Sequence, residues 1–297
     1  MRLILSIFLT LVLFSCARRG RPEGGPKDFD KPIMVRADPE FMSLQFDEDE
    51  IRIYFDEYIK LQNVNSQLIV SPPLKYNPII TPQGTPSKRI SIKLQDTLLE
   101  NTTYTFNFGQ SIVDNTEGNV LDNFKYIIST GDYIDSLKIG GRISDAFDLV
   151  MTEGPTVMLY PMDSSYSDSL VFKDKPTYIG STVDSLNWSI TNIKEGKYRL
   201  IALNDRSKNY VYNPIEDKIA FYEEVLDIPG DTIYNLRLFK EILPFELQGR
   251  PKEVTKGHLI FGFRGDASDI EIEVLSEKTE SFRSFYVKDR EKDTVNY

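Results

Sequence analysis

Apolar and polar residues alternate with a period of two over short runs, and turn residues separate those runs along most of the chain. Arg89-Ile-Ser-Ile-Lys-Leu94 sets Ile90, Ile92 and Leu94 on one face, and Thr103-Tyr-Thr-Phe-Asn-Phe108 does the same with Tyr104, Phe106 and Phe108. A packed helix would need apolar residues spaced at about 3.6, and few segments sustain that period. The chain's 16 tyrosines and 18 phenylalanines, with frequent Val, Ile and Thr, add to the preference for strands. The expected fold class is all-β.

The first module runs from Pro32 to Gly131. Ile51-Arg-Ile-Tyr-Phe-Asp-Glu-Tyr58 begins as a strand and turns through Asp56-Glu57, and Leu68-Ile-Val70 runs into Ser71-Pro72-Pro73. Asp114 to Asn119 is a turn cluster, and Tyr126 to Thr130 closes the module. Short strands with turns roughly every 8–12 residues predict an antiparallel sandwich. Four segments carry a resemblance: Ile53-Tyr-Phe-Asp-Glu-Tyr-Ile59, Leu98-Leu-Glu-Asn-Thr-Thr-Tyr104, Ile112-Val-Asp-Asn-Thr-Glu-Gly-Asn119 and Ile128-Ser-Thr-Gly131. In this order they resemble the bacterial Ig-like domain of S-layer (SbsA) type, with the Asp114–Asn119 turn one residue longer than the family pattern. The resemblance implies an Ig-like sandwich used as spacer or interaction module, without enzyme activity.

A second module is expected over 132–241. Leu137-Lys-Ile-Gly-Gly-Arg-Ile-Ser144 reads as a strand with a glycine bend, and Val157-Met-Leu-Tyr-Pro161 as the next. Trp188 to Ile193 leads through Glu195-Gly196 into Lys197-Tyr-Arg-Leu-Ile-Ala-Leu203, which predicts a hairpin. Glu216 to Leu226 is expected to be a strand rather than a short amphipathic helix. The Gly-Arg-Ile opening and the Gly-Lys-Tyr-Arg-Leu-Ile-Ala strand resemble a transthyretin-type, carboxypeptidase regulatory-like sandwich. Over 242–297, Leu259–Phe263, Asp269–Leu275 and Phe282–Val287 are strand candidates, with a last signal at Asp293-Thr-Val295. They form either a half-sheet packed on the second module or an incomplete third domain.

Ahead of these modules, Arg2 and the apolar run Leu3–Phe14 have the proportions of a signal peptide, being too short for a bilayer core that needs about 20 residues. The run ends in Leu13-Phe14-Ser15-Cys16, which holds the only cysteine of 297 residues. Leu13 and Ser15 resemble a bacterial lipobox, as in Bacteroidota envelope proteins, although Phe14 is bulkier than usual at its position. The resemblance implies cleavage after Ser15, lipidation of Cys16, and attachment to the outer membrane through acyl chains. Residues 16–31, rich in Gly, Pro and charge, read as a tether. Its Arg18, Arg19 and Arg21 stand where surface-exported relatives carry acidic residues, which favours the periplasmic face.

The formal net charge of −10 argues against nucleic acid as a partner, since phosphate backbones recruit Lys and Arg. With one cysteine and one histidine, His258, disulfides, multi-histidine metal sites and histidine triads have no residue set, and no cofactor is implied. His258 reads as an exposed loop imidazole and Asp47-Glu-Asp-Glu50 as a solvated acidic turn. Asn204–Asn209 and Asp114–Asn119 carry oxygen ligands but lack the closing Glu of a twelve-residue calcium loop. Asp-Ser/Thr-aliphatic tripeptides recur and resemble O-glycosylation acceptors of exported Bacteroidota proteins, with Thr97, Ser136, Ser169, Ser185, Thr232 and Thr294 as candidates. The same tripeptide is an ordinary turn-to-strand junction.

The function expected is a lipid-anchored, non-catalytic binding or scaffolding module whose partner is an envelope protein or a glycan. Tyr210 and Tyr212 are candidate contact residues, because Tyr is enriched at binding hot spots. The alternative is a set of accessory β-domains of an envelope enzyme whose catalytic domain lies outside this chain.

Overall fold

A computed structural model describes residues 25–149, 154–182, 186–289 and 292–297. The strands of the first sandwich are β1 (Met34–Asp38), β2 (Glu50–Leu61), β3 (Ile69–Ser71), β4 (Ile79–Thr81), β5 (Ser87–Lys93), β6 (Thr103–Asn107), β7 (Ile112–Asp114) and β8 (Lys125–Ser129). A four-residue helix, α1 (Val64–Gln67), lies between β2 and β3. One sheet has the order β1-β2-β5-β4 with β7 also on β2, and the other the order β3-β6-β8. Their inner faces meet as the alternation requires. Ile51, Ile53 and Ile59 of β2 and Ile90 and Ile92 of β5 face Tyr104, Phe106, Phe108, Tyr126 and Ile128, all within one buried cluster.

The turn expected at Asp56-Glu57 is strand instead. β2 continues through both residues to Leu61, with its pairing to β5 shifting register between Tyr54 and Ile59. The irregularity lets one long strand serve two partners. Its first half pairs with β1 and β5, and its last three residues pair with β7. The polar dipeptide marks the bulge and not an end.

The second set of strands is β9 (Leu137–Asp145), β10 (Thr156–Pro161), β11 (Tyr178–Thr182), β12 (Asn187–Ile193), β13 (Gly196–Leu203), β14 (Ile219–Phe221), β15 (Leu226–Ile228) and β16 (Leu236–Leu238). They form a continuous eight-stranded sheet, β14-β13-β10-β11-β12-β9-β16, with β15 also on β13. It folds over one core, since Trp188, Ile190 and Ile193 lie in the same buried cluster as Tyr198, Leu200 and Leu226. The 216–226 stretch contains strand β14 and no helix, as expected.

Two local expectations fail here. β12 and β13 do not pair as a hairpin. β12 bonds to β9 and β11, and β13 to β10, β14 and β15, so the short connection at Lys194-Glu195 crosses from one side of the core to the other. Alternation and a glycine specify a tight connection but not its partner. Nor is Gly140-Gly141 a bend, because β9 runs through both residues. A Cβ on Gly141 would lie 1.8 Å from the Tyr234 carbonyl oxygen, and one on Gly140 2.8 Å from that of Trp188. The glycines are required by close backbone approach.

A third sheet joins β17 (Glu246–Thr255), β18 (His258–Arg264), β19 (Val287–Lys288) and β20 (Thr294–Asn296) in the order β17-β18-β20-β19. Its buried cluster is small: Phe263, Ala267 and Val295, with Ile270 and Ile272 partly buried against it. Asp269–Leu275 is therefore not a strand. Its isoleucines pack on this cluster while its backbone joins no ladder, and the Phe282–Val287 candidate shrinks to Val287–Lys288.

The first two sandwiches meet through β6. Its outward residues Thr103, Thr105 and Asn107 are as buried as its inward ones. The Thr103 hydroxyl donates to Asp135 Oδ2 at 2.8 Å and accepts from the Asp135 N–H at 2.9 Å. Thr105 donates to Asn192 Oδ1 at 3.2 Å, Asn192 Nδ2 donates to the Asp135 carbonyl at 2.8 Å, and the Ile179 N–H donates to Ser71 Oγ at 3.0 Å. The Lys194 ammonium also donates to the Asn101 carbonyl. This seam relies on hydroxyl and amide groups, which suits buried polar atoms that must find partners.

Candidate functional site

The residues singled out for chemistry resolve mostly into structure. Glu50, the last of the acidic turn, accepts hydrogen bonds from the Ser91 hydroxyl and the Arg52 guanidinium, which hold its carboxyl below the ordinary value. Asp47 to Asp49 are exposed. His258 is not an exposed loop imidazole. It opens β18, half-buried, with Nε2 3.0 Å from Asn296 Oδ1.

Both loops with calcium-like composition use their carboxylates internally. Asp114, 2 % exposed, accepts from the N–H groups of Thr116, Glu117 and Asn119. Asp205, 8 % exposed, accepts from the Tyr210 N–H at 2.6 Å and the Ser207 hydroxyl at 3.2 Å. Among the described residues no group of three or more His, Cys, Asp or Glu is placed to hold a metal.

Ser15 and Cys16 lie outside the described residues, as does the acceptor candidate Ser185. Thr97, Ser136 and Thr232 are exposed in loops, Ser169 is exposed in the short 3-10 helix Asp168–Phe172, and Thr294 is half-buried in β20. The aspartates preceding several of them have structural partners: Asp135 at the seam, Asp96 accepting the Tyr76 N–H at 2.7 Å, and Asp168 accepting the Tyr166 hydroxyl at 2.9 Å.

The two tyrosines proposed as contact residues part company. Tyr212 is buried, its ring 5.3 Å from that of Phe172 and its hydroxyl donating to Glu241 Oε2 at 3.1 Å, so it packs instead of contacting a partner. Tyr210 is half-buried in the wall of an open cleft of about 660 Å³ between the first two sandwiches. On one side the cleft is lined by α1 and the loop around Lys75, Tyr76 and Asn77, and on the other by Lys175 and the 204–210 loop. Lys208 Nζ donates to the Ser66 carbonyl at 3.1 Å and Lys175 Nζ to the Leu74 carbonyl at 2.8 Å, so both lysines reach across the opening. Sequence reading singled out Tyr210 but missed Lys75, Tyr76, Lys175 and Lys208, because a site shared by segments so far apart leaves no local motif.

A second concavity of about 550 Å³ lies on the outer face of the second sandwich, where Phe172, Phe221 and Phe239 are partly exposed beside Arg199. A third, of about 590 Å³, is bordered by His258 of the last sheet and by Phe282 and Phe285 of the segment before β19.

Residues 28–130 match the family model described as bacterial Ig-like domain. No curated protein sequence matches the chain. Among solved structures, similarity is found to the major pilin subunit of Bacillus cereus at 9% identity, covering 70% of this chain and 68% of that one with a TM-score of 0.20. The T6 backbone pilin of serotype M6 Streptococcus pyogenes matches at 10% identity over 58% of this chain and 46% of its own, with a TM-score of 0.18. The S-layer protein rSbsC matches at 12% identity over 81% of this chain and 34% of its own, with a TM-score of 0.20.

Proposed function

We propose that the chain is a lipid-anchored, non-catalytic binding or scaffolding module of the bacterial outer membrane, held through Cys16 and facing the periplasm. The observation that carries this reading is the hydrogen-bonded seam through Thr103 and Asp135, which joins the Ig-like sandwich to the one that follows, in a chain whose early apolar run ends in Leu13-Phe14-Ser15-Cys16. A Gly- and Pro-rich basic stretch followed by sandwiches that share a hydrogen-bonded seam is suited to holding a surface away from a membrane. The 132–241 unit is taken as the carboxypeptidase regulatory-like sandwich, and 242–297 as a third, partial unit. The exposed Thr97, Ser136, Ser169 and Thr232 are candidate O-glycan acceptors under the same reading, readable by intact mass before and after chemical deglycosylation.

Growth with labelled fatty acid tests the anchor. Label is expected on the wild-type chain and absent from Cys16→Ala, and label retained by the variant overturns the assignment. Gentle detergent extraction of the tagged chain then tests the role. Co-purification of an envelope protein or a glycan supports it, whereas a monomer with hydrolytic activity overturns it. Protease added to intact cells is expected to leave the sandwiches uncut, and rapid shaving would place them on the outer surface.

A further inference from the structure

We infer that the cleft between the first two sandwiches binds a carboxylate-bearing oligosaccharide. This deepens the proposed binding role and rests on it only in taking the chain as a binder and not a catalyst.

Charge is the first argument. The chain carries a formal net charge of −10, yet Lys75, Lys175 and Lys208 converge on this opening. None of the three belongs to the ion pairs among the described residues, which use Lys31, Arg52 and Lys218. The two that cross the opening are held only by backbone carbonyls of Ser66 and Leu74. The acid in the lining, Asp205, is buried with both oxygens accepting hydrogen bonds, and Asp96, which takes the Tyr76 N–H through Oδ2, does not line the cleft. An anionic ligand would therefore meet unneutralised ammonium groups, whose hydrogen bonds to carboxylate are among the strong ones.

The remaining lining specifies the kind of anion. Asn65, Asn77, Asn204 and Asn209 border the cleft, and an amide that both donates and accepts matches a sugar hydroxyl that does the same. Tyr76 is 54% exposed and Lys75 Nζ lies over its ring, 5.2 Å from the centroid, so aromatic surface and an ammonium group are presented together. Peptide recognition would instead draw on apolar pockets or a strand edge, and this lining is mainly polar side chains. The volume falls within the roughly 300–1,000 Å³ usual for small-ligand sites.

The backbone is shaped to suit. Lys208 and Tyr210 have φ of 54° and 64°, a left-handed conformation that non-glycine residues avoid. The buried Asp205 carboxylate fixes it by taking the Tyr210 N–H. Local strain of this kind persists where surrounding contacts over-determine it, and it concentrates at ligand clamps. Its effect here is to send Lys208 towards Ser66 and Tyr210 into the cleft wall.

The test is calorimetric titration of the detergent-solubilised full chain with hexagalacturonate and, separately, an alginate hexamer. At least one is expected to bind saturably, more weakly at high salt. Affinity should fall about tenfold in Lys175→Gln/Lys208→Gln and also in Tyr76→Ala, and be unchanged in Phe285→Ala, in the segment before β19. Thermal melts confirm that each variant folds, and Lys75→Gln, which removes a lining ammonium without touching a cross-cleft hydrogen bond, should also weaken binding. Binding of neither acidic hexamer overturns the inference. So does equal binding of neutral maltohexaose, of a hexaglutamate peptide or of oligothymidylate, or an unchanged affinity in the lysine variants. Cleavage of a bound hexamer would leave the cleft assigned and overturn the non-catalytic reading instead.

Discussion

Thr103 and Asp135 stand 32 residues apart and bond reciprocally, the threonine hydroxyl donating to the carboxylate and accepting from the aspartate N–H. Both are buried, at 1% and 7% exposure, and the Asp135 carbonyl also receives Asn192 Nδ2. One residue of the connecting segment thereby ties β6 of the first sandwich to β12 of the second.

Replacing Asp135 by Ala should lower stability by about 1–3 kcal/mol, the usual consequence of stranding a buried polar partner. Urea denaturation checks the magnitude. The variant should also split one unfolding transition into two, since the seam couples the units, and a single transition of unchanged midpoint would show that Asp135 contributes nothing to the coupling.

Residues 28–131 alone should be soluble and melt cooperatively with a β-type far-ultraviolet spectrum. The face that separation uncovers carries Ser71, Thr105 and Asn107, which water can satisfy as well as the second sandwich does. A helical or unfolded spectrum would contradict this.

Asp114 should make acid stability depend on its loop. Burial alone would raise its carboxyl, but the N–H donors of Asn119, Glu117 and Thr116 prevail and hold it below the ordinary value. A carboxyl lowered in the folded state stabilises the fold above its unfolded value, near pH 3.9, and loses that contribution as pH falls through the lowered one. Asp114→Ala should therefore be less stable than wild type at neutral pH by about 1–3 kcal/mol. Melts across pH should show the gap closing below about pH 4. A gap independent of pH would assign the effect to packing.

Gly141→Ala should destabilise the second sandwich by about 1–3 kcal/mol or more, because the new Cβ meets backbone that cannot rotate away. Gly84→Ala is the comparison: its φ is +80° but its surroundings are open, so only the left-handed penalty of about 1–2 kcal/mol applies. Equal effects in the two variants would refute the close-approach argument.

What could be read from the chain follows from how local each signal is. Ile90, Ile92, Tyr104, Phe106 and Phe108 announce their faces by alternation, and all are buried as expected. Pairing is not local, which is why Trp188–Ile193 and Lys197–Leu203 suggest a hairpin yet lie on opposite sides of a core. Outward-facing Thr103, Thr105 and Asn107 give no sign of burial, since a polar seam has the composition of a solvated surface. β17 is missed for a related reason: its ten residues are all exposed, so no apolar face marks it. Tyr212 shows the opposite failure, a tyrosine in a polar stretch whose ring is claimed by Phe172.

The seam beside β6 has a bearing on movement. Greasy contact surfaces tolerate sliding, because one methyl group substitutes for another at little penalty. Thr103, Thr105 and Ser71 instead engage particular atoms of Asp135, Asn192 and Ile179, and a shift of one residue along β6 would present the opposite, aromatic side of the strand. Intermediate docking angles are thus disfavoured, and the first two sandwiches should occupy one orientation until the junction opens altogether, so that a pull on one end is passed to the other without slack.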